Sequence, residues 1–222
     1  HNLGPLYSVN LIKRHLEKLE NIFLSYCDIH WIWKNLKPSE HKSNTVYCFR
    51  GWHPFTVDNN NYAFCKVKKN IILSVREKQS FTQKWQNEPL SIGLFFYKQG
   101  SEMLKSLEMV IKKKITVNNE YFPSLSYNFL KQKKLKIVKN FCHIGRPYYL
   151  EIFKKWKKFN IINKTFKKEI KKFNLADVII IPAAGLAKRF LKENVYTPKF
   201  LCRAGLEKKV MINLIKDYLP KN

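Results

Sequence analysis

Long hydrophobic runs are missing from this chain. None approaches the roughly 20 residues needed to cross a bilayer as a helix, so a soluble protein without a membrane role is expected. Nothing like a secretory leader opens it: His1-Asn2-Leu3-Gly4-Pro5 has no basic stretch followed by an apolar one, and no initiator Met. The five cysteines, Cys27, Cys48, Cys65, Cys142 and Cys202, are odd in number and include no Cys-x-x-Cys pair. That spacing points to neither a zinc site nor a disulfide framework, and it suits a reducing cytoplasm. Acidic residues are scarce, 16 against 42 lysines and arginines, which leaves a formal net charge of +26. Such a charge invites a nucleic-acid reading. No RNP, zinc-finger or KH signature accompanies it, and runs such as Lys112-Lys113-Lys114, Lys133-Lys134 and Lys171-Lys172 fall at expected helix ends and turns, where charge is simply solvated. Nucleic-acid binding is therefore set aside as the main role. A positive field that draws in anionic nucleotides and sugar phosphates is the milder consequence.

What is present is an alternation of strand and helix in 222 residues, 45% hydrophobic, enough for one domain of ordinary size or one domain plus a fragment. Residues 11–19 read as a helix and 21–26 as a buried strand ending at Asp28. Residues 62–67 and 71–76 read as strands about the turn-prone Lys68-Lys69-Asn70, and 90–97 as a further strand. Residues 101–113 form an amphipathic pattern with Ser101 as the expected N-cap. A helix over 120–131, a strand over 136–141 and a helix opened by Pro147 follow. The expected organisation is a first unit over 1–160, a basic linker over 161–175 and the start of a second unit over 176–222. The last unit opens with Asp177-Val178-Ile179-Ile180-Ile181 running into Pro182-Ala183-Ala184-Gly185, a strand and small-residue loop of the kind that begins an α/β nucleotide-binding domain.

Two sets of motifs resemble one family. Ile181-Pro182-Ala183-Ala184-Gly185-Leu186-Ala187-Lys188-Arg189-Phe190, with Thr197-Pro198-Lys199 after it, resembles the opening signature of the sugar-phosphate nucleotidyltransferases. Ala187 and Lys188 depart from that signature, standing where the family has Gly and Ser or Thr. The earlier region resembles the family's second half, in order: Gly4-Pro5-Leu6-Tyr7, Tyr26-Cys27-Asp28, Arg50-Gly51-Trp52-His53-Pro54, Glu77-Lys78, Ser91-Ile92-Gly93, Asn119-Glu120-Tyr121 and Gly145-Arg146-Pro147. His143-Ile144 brings no second acidic residue to that last motif.

The resemblance implies an α/β fold, mixed but mainly parallel and Rossmann-like, with flanking helices. It implies an enzyme joining a nucleoside triphosphate to a sugar 1-phosphate with release of pyrophosphate, in nucleotide-sugar or surface-polysaccharide synthesis. Asp28 would bind Mg2+; a carboxylate suits a hard cation that bridges phosphate oxygens. Arg189 would hold the triphosphate and Lys199 the reacting phosphates. Ala184 and Gly185 would let the backbone approach the nucleotide, and Gly4 would lie in the segment that closes over the base. Glu77, Lys78, Gly93 and Glu120 would contact the sugar phosphate. The chain by itself, with parts of two domains, is expected to turn over little. Two other classes stay open: a glycosyltransferase using Asp28-Ile29-His30 at its metal, and a non-catalytic nucleotide-binding module, which the Ala187 and Lys188 changes favour. Trp31, Trp33 and Trp52 are candidates either to stack on a base or sugar or to fill the core. Finally, residues 177–182 supply the strand that the first unit lacks, so they are expected to dock in parallel beside 21–26, an otherwise unpaired apolar edge. Oligomeric state, base and sugar are not legible.

Overall fold

In β1 (Glu20–Ser25), Ile22 and Leu24 face one side of the sheet and Phe23 the other. The same alternation runs through β3 (Asn44–Phe49), β4 (Ala63–Lys68) and β6 (Leu90–Gln99). Val46, Cys48, Ala63, Cys65, Phe95 and Tyr97 join one core, and Tyr47, Phe64, Leu94 and Phe96 the other. Successive strand side chains point to opposite faces, so a sheet with two buried faces needs apolar residues at successive positions, as β6 has from Leu94 to Tyr97. Each large side chain so buried contributes about 1.5–3 kcal/mol, which opposes any slip of register. The computed structural model from which this is read describes residues 3–31, 41–51, 61–139, 141–158, 178–180, 191–192, 203–204 and 209–210.

The first core is closed by helices. α1 (Pro5–Asn10) contributes Leu6 and Val9, α2 (Lys13–Leu16) contributes Leu16, and α3 (Gly100–Lys112) contributes Met103, Leu104, Leu107 and Val110. A 3-10 segment, Pro123–Phe129, adds Leu125 and Tyr127, whose hydroxyl lies 2.8 Å from the Phe96 carbonyl oxygen. The hairpin of β4 and β5 (Ile71–Glu77) turns on Lys69 and Asn70, both with positive φ, the geometry that matches strand twist in a two-residue turn. β2 (Ile29–Trp31) pairs antiparallel with β8 (Phe141–His143), and α4 (Pro147–Lys158) follows. Trp31 is buried in the second core.

The main sheet runs β3-β7-β5-β4-β6-β1-β9, where β7 is Lys133–Ile137 and β9 is Val178–Ile180. An additional β3–β6 ladder closes β3, β7, β5, β4 and β6 into a five-strand ring. The sheet is mixed, as expected, but not mainly parallel. Among the described residues only β3–β7 and β1–β9 pair in parallel. Short connections explain this: a tight turn such as Lys69-Asn70 can only reverse a strand, whereas parallel neighbours need a crossover of a dozen or more residues. The β9 ladder pairs Ile22, Phe23 and Leu24 with Val178, Ile179 and Ile180, the docking and direction expected from the unpaired edge. β10 (Arg203–Ala204) and β11 (Lys209–Val210) form a separate antiparallel pair.

Several elements differ from expectation. Instead of one helix over 11–19, the chain makes α1 and α2, because Pro5 starts a helix earlier and Leu11 and Ile12 face solvent in the break. α3 begins at Gly100 after Gln99, without a side-chain cap, so Ser101 is not its N-cap. A Cβ at Gly100 would lie 1.7 Å from the Leu16 carbonyl oxygen, so only glycine admits the α2 backbone there. The helix over 120–131 is replaced by the 3-10 segment. Asn118 and Asn119 have positive φ, and Tyr121 bonds through its backbone to Leu3 and Leu6, which holds the chain extended until Pro123. The strand over 136–141 splits into β7 and β8. No helix among the described residues is long and apolar enough to cross a membrane.

Candidate active site

β1 delivers Tyr26 and Asp28 to the C-terminal edge of the sheet. The Tyr26 amide donates to the Gly93 carbonyl at 2.9 Å. Gly93 has φ +85°, and a Cβ there would sit 2.7 Å from Tyr26 Cδ2, so the tyrosine ring lies on bare backbone. The Tyr26 phenol is held well above its ordinary pKa, by burial first and then by the charges of Glu77, Asp28, Tyr97 and Glu120. Three of the predicted carboxylates, Glu77, Asp28 and Glu120, thus act electrostatically on one phenol.

Asp28 is buried at 8% exposure, and its carbonyl accepts from the Ile144 amide at 2.8 Å. The pairing of Ile29 with His143 sets that imidazole opposite the aspartate, with Nε2 3.7 Å from Oδ2. The Tyr62 hydroxyl lies 3.2 Å from the other ring nitrogen, Nδ1. The Tyr62 carbonyl in turn accepts from the Lys78 amide at 2.9 Å. Lys78 has φ +56°, unusual for a residue with a side chain, and its Nζ stands 4.5 Å above the Phe122 ring.

Glu77 ends β5. Its carboxylate is buried and accepts from Ser124 Oγ at 2.5 Å, so it is not the exposed partner of a surface ion pair. Its pKa is raised to about 7: burial pushes it up, the Ser124 hydrogen bond and the Lys78 charge pull it down, and Glu120 adds to the rise. Glu120 sits in the turn that Val117 and Glu120 close through paired backbone bonds. Gly4, with φ +88°, lies against this turn; a Cβ would come within 2.7 Å of the Tyr121 carbonyl oxygen. The segment after Lys78 is pinned by Glu88, which accepts from the amides of Phe81 at 2.8 Å and Thr82 at 2.5 Å.

Contacts link Asp28 to Lys78 through His143 and Tyr62, Glu77 to Ser124, Gly93 to Tyr26, and Gly4 to the turn that holds Glu120. Ala184, Gly185, Arg189 and Lys199, like Ala187, Lys188, Trp33, Trp52 and His53, lie outside the described residues. Sequence reasoning gave no role to Tyr26, Tyr62, Ser124 or His143. The signal for His143 was its place two residues before Gly145, whose motif partner was expected to be acidic. Among the described residues no three His, Cys, Asp or Glu side chains together form a metal centre. A magnesium ion keeps much of its shell as water and substrate phosphate and takes one or two protein carboxylates; Asp28, aimed past glycine, fits that demand.

No family model and no curated protein matches the chain. Solved structures do. A nucleoside-diphosphate-sugar pyrophosphorylase from Vibrio cholerae RC9 superposes with a TM-score of 0.50 at 15% identity, over 65% of this chain and 59% of that one. In fold, the chain is similar to a nucleotide-sugar pyrophosphorylase. A putative glucose-1-phosphate thymidylyltransferase from Bacillus anthracis (TM-score 0.49, 10% identity, 68% of this chain and 59% of that one) also matches. So does the inositol-1-phosphate CTP transferase from T. maritima (TM-score 0.47, 18% identity, 72% and 64%). The chain spans less than two thirds of the length of each of these three chains.

Proposed function

We propose that the chain is part of a sugar-phosphate nucleotidyltransferase, and that the described site is its sugar-phosphate half. The observation that carries this is the contact chain from Asp28 through His143 and Tyr62 to Lys78, next in sequence to the buried Glu77 with its Ser124 bond. A buried carboxylate with a proton to share, a second carboxylate and a lysine are what an array of sugar hydroxyls beside a phosphate requires. Glu77 and Glu120 accept from hydroxyls and Lys78 faces the phosphate, while Gly93 makes room for the Tyr26 ring beside them.

In the reaction, an oxygen of the sugar 1-phosphate attacks the α-phosphorus of the nucleoside triphosphate. The new P–O bond forms as the bond to the β-phosphate oxygen breaks, and that electron pair leaves with pyrophosphate. Catalysis of this kind is positioning and charge stabilisation, without a covalent intermediate. Asp28 would hold Mg2+, which when bound neutralises phosphate oxygens. Arg189, Lys199 and the Ala184-Gly185 loop take the triphosphate roles that the resemblance assigns them. The pairing of β9 with β1 supports this, because the chain beyond Ile180 continues from beside Leu24, four residues short of Asp28. Turnover by the chain alone is expected to be low, so binding is the test.

Titration calorimetry of the full chain with glucose 1-phosphate and related sugar phosphates should show binding. Glu77→Gln combined with Lys78→Ala should weaken it at least about tenfold, the scale of losing hydrogen bonds to charged groups. Binding indifferent to both substitutions sinks the site. Where turnover is seen, pyrophosphate release supports this reading, whereas nucleoside diphosphate release from a sugar nucleotide supports a glycosyltransferase.

A further inference from the structure

The pair formed by Asp28 and His143 is spaced, not bonded. Oδ2 and Nε2 stand 3.7 Å apart, beyond the 2.7–3.2 Å of a direct N–H···O hydrogen bond. Two donors each about 2.1 Å from one cation lie up to about twice that distance apart, so both atoms can reach a single ion. A glycine stands against both atoms: a Cβ on Gly145 would fall 2.3 Å from Asp28 Oδ2 and 2.6 Å from His143 Nε2, so a side chain there would crowd the pair. The imidazole is also oriented from behind, by the Tyr62 hydroxyl 3.2 Å from Nδ1. With Nδ1–H donating to that hydroxyl, Nε2 presents its lone pair toward Asp28, the arrangement in which metal-ligating histidines are fixed by an outer partner.

We propose that Asp28 and His143 together form a divalent-cation site of mixed oxygen and nitrogen character, with Tyr62 as its positioning residue, which favours a transition-metal ion such as Mn2+ over Mg2+. This deepens the proposed function and rests on its reading of Asp28 as the metal-facing carboxylate. The ligand chemistry sets the preference. Magnesium is a hard ion served by carboxylate, carbonyl and water, whereas an imidazole ligand shifts the order toward first-row transition metals. Replacing one oxygen ligand by imidazole should therefore change which ion loads the site, while the phosphates of the substrate still complete the shell.

The test uses the full chain, stripped of metal with a chelator and titrated with Mn2+, free ion being read by electron paramagnetic resonance, with Mg2+ as competitor and with and without nucleoside triphosphate. The expected result is one Mn2+ per chain, lost in Asp28→Asn. Electron spin-echo spectra of the bound ion should show nitrogen coupling that disappears in His143→Asp. The ratio of Mg2+ to Mn2+ dissociation constants should fall at least about tenfold in His143→Asp, and Tyr62→Phe should weaken Mn2+ about 10-fold or more, as outer-shell losses do. Circular dichroism checks that each variant folds, and Tyr62→Phe deletes only a hydroxyl. If Asp28→Asn abolishes binding but both His143→Asp and Tyr62→Phe leave the two affinities within about twofold, the mixed-ligand site is wrong and the reading of Asp28 stands. If the unaltered chain binds no Mn2+ under either condition, or binds it equally well as Asp28→Asn, both fall.

Discussion

Glu77 shows what burial does to one carboxyl group. Its pKa is about 7 in the fold against an ordinary 4.5. Between those values the folded chain keeps a proton that the unfolded chain has released, so stability falls as pH rises through the window. Below about 4.5 both states hold the proton and no penalty exists; above about 7 the penalty is complete, and at 1.36 kcal/mol per pKa unit its upper bound is about 3 kcal/mol. Urea denaturation of the unaltered chain at pH 5 and pH 8 should show that loss, and Glu77→Gln, which cannot ionise, should remove most of it. Equal pH dependence in the two proteins would show that Glu77 is not the group responsible. The same shift matters for function: hydroxyl donors from a sugar favour the ionised form, so ligand binding there should release a proton near neutrality.

At the scale of elements, β9 is the piece to test. Without it, β1 presents unpaired amides and carbonyls on an apolar strand, and such edges recruit other chains. A chain ended before residue 178 should keep its circular dichroism but associate with rising concentration in sedimentation, while the full chain does so less. Ile179→Pro should likewise speed amide exchange along the outer edge of β1. This element was legible because its β-branched run needs only a strand of matching character to pair with. β6 and the β4–β5 hairpin were legible for similar reasons, continuous apolar residues in one case and the Lys69-Asn70 turn in the other. The five-strand ring was not, because β3–β6 pairing joins segments more than 40 residues apart and no local period reports it. The break between α1 and α2 was hidden because Leu11 and Ile12 continue an apolar pattern yet end in solvent. Within the site, Asp28, Glu77 and Glu120 were readable as motif residues. His143 was not, since what brings it to Asp28 is the β2–β8 pairing of positions over 100 apart, and its contact with the Tyr62 hydroxyl is equally remote in sequence.

The whole molecule carries a formal net charge of +26. Like charges held together in a compact state repel, and salt shortens their reach from about 30 Å at 0.01 M to about 8 Å at 0.15 M. The melting temperature should therefore rise over that range of sodium chloride, as scanning fluorimetry would show; a flat or falling curve would mean the charges are already locally compensated. The β1–β9 pairing has a further consequence for synthesis on the ribosome. β1, β6 and α3 have all been made once Lys112 is added, but β9 begins some 66 residues later. At about 5–20 residues per second, the nascent chain waits roughly 3–13 s with one flank of the sheet open while the rest of its core is still being made. Closing the gap then joins Ile22 to Val178, a loop whose entropic cost is on the order of 4–5 kcal/mol, for only three residue pairs. β9, the last strand of the main sheet to leave the ribosome, is thus the last of that sheet to fold and the first to let go, and for those seconds the emerging polypeptide is a substrate for chaperones.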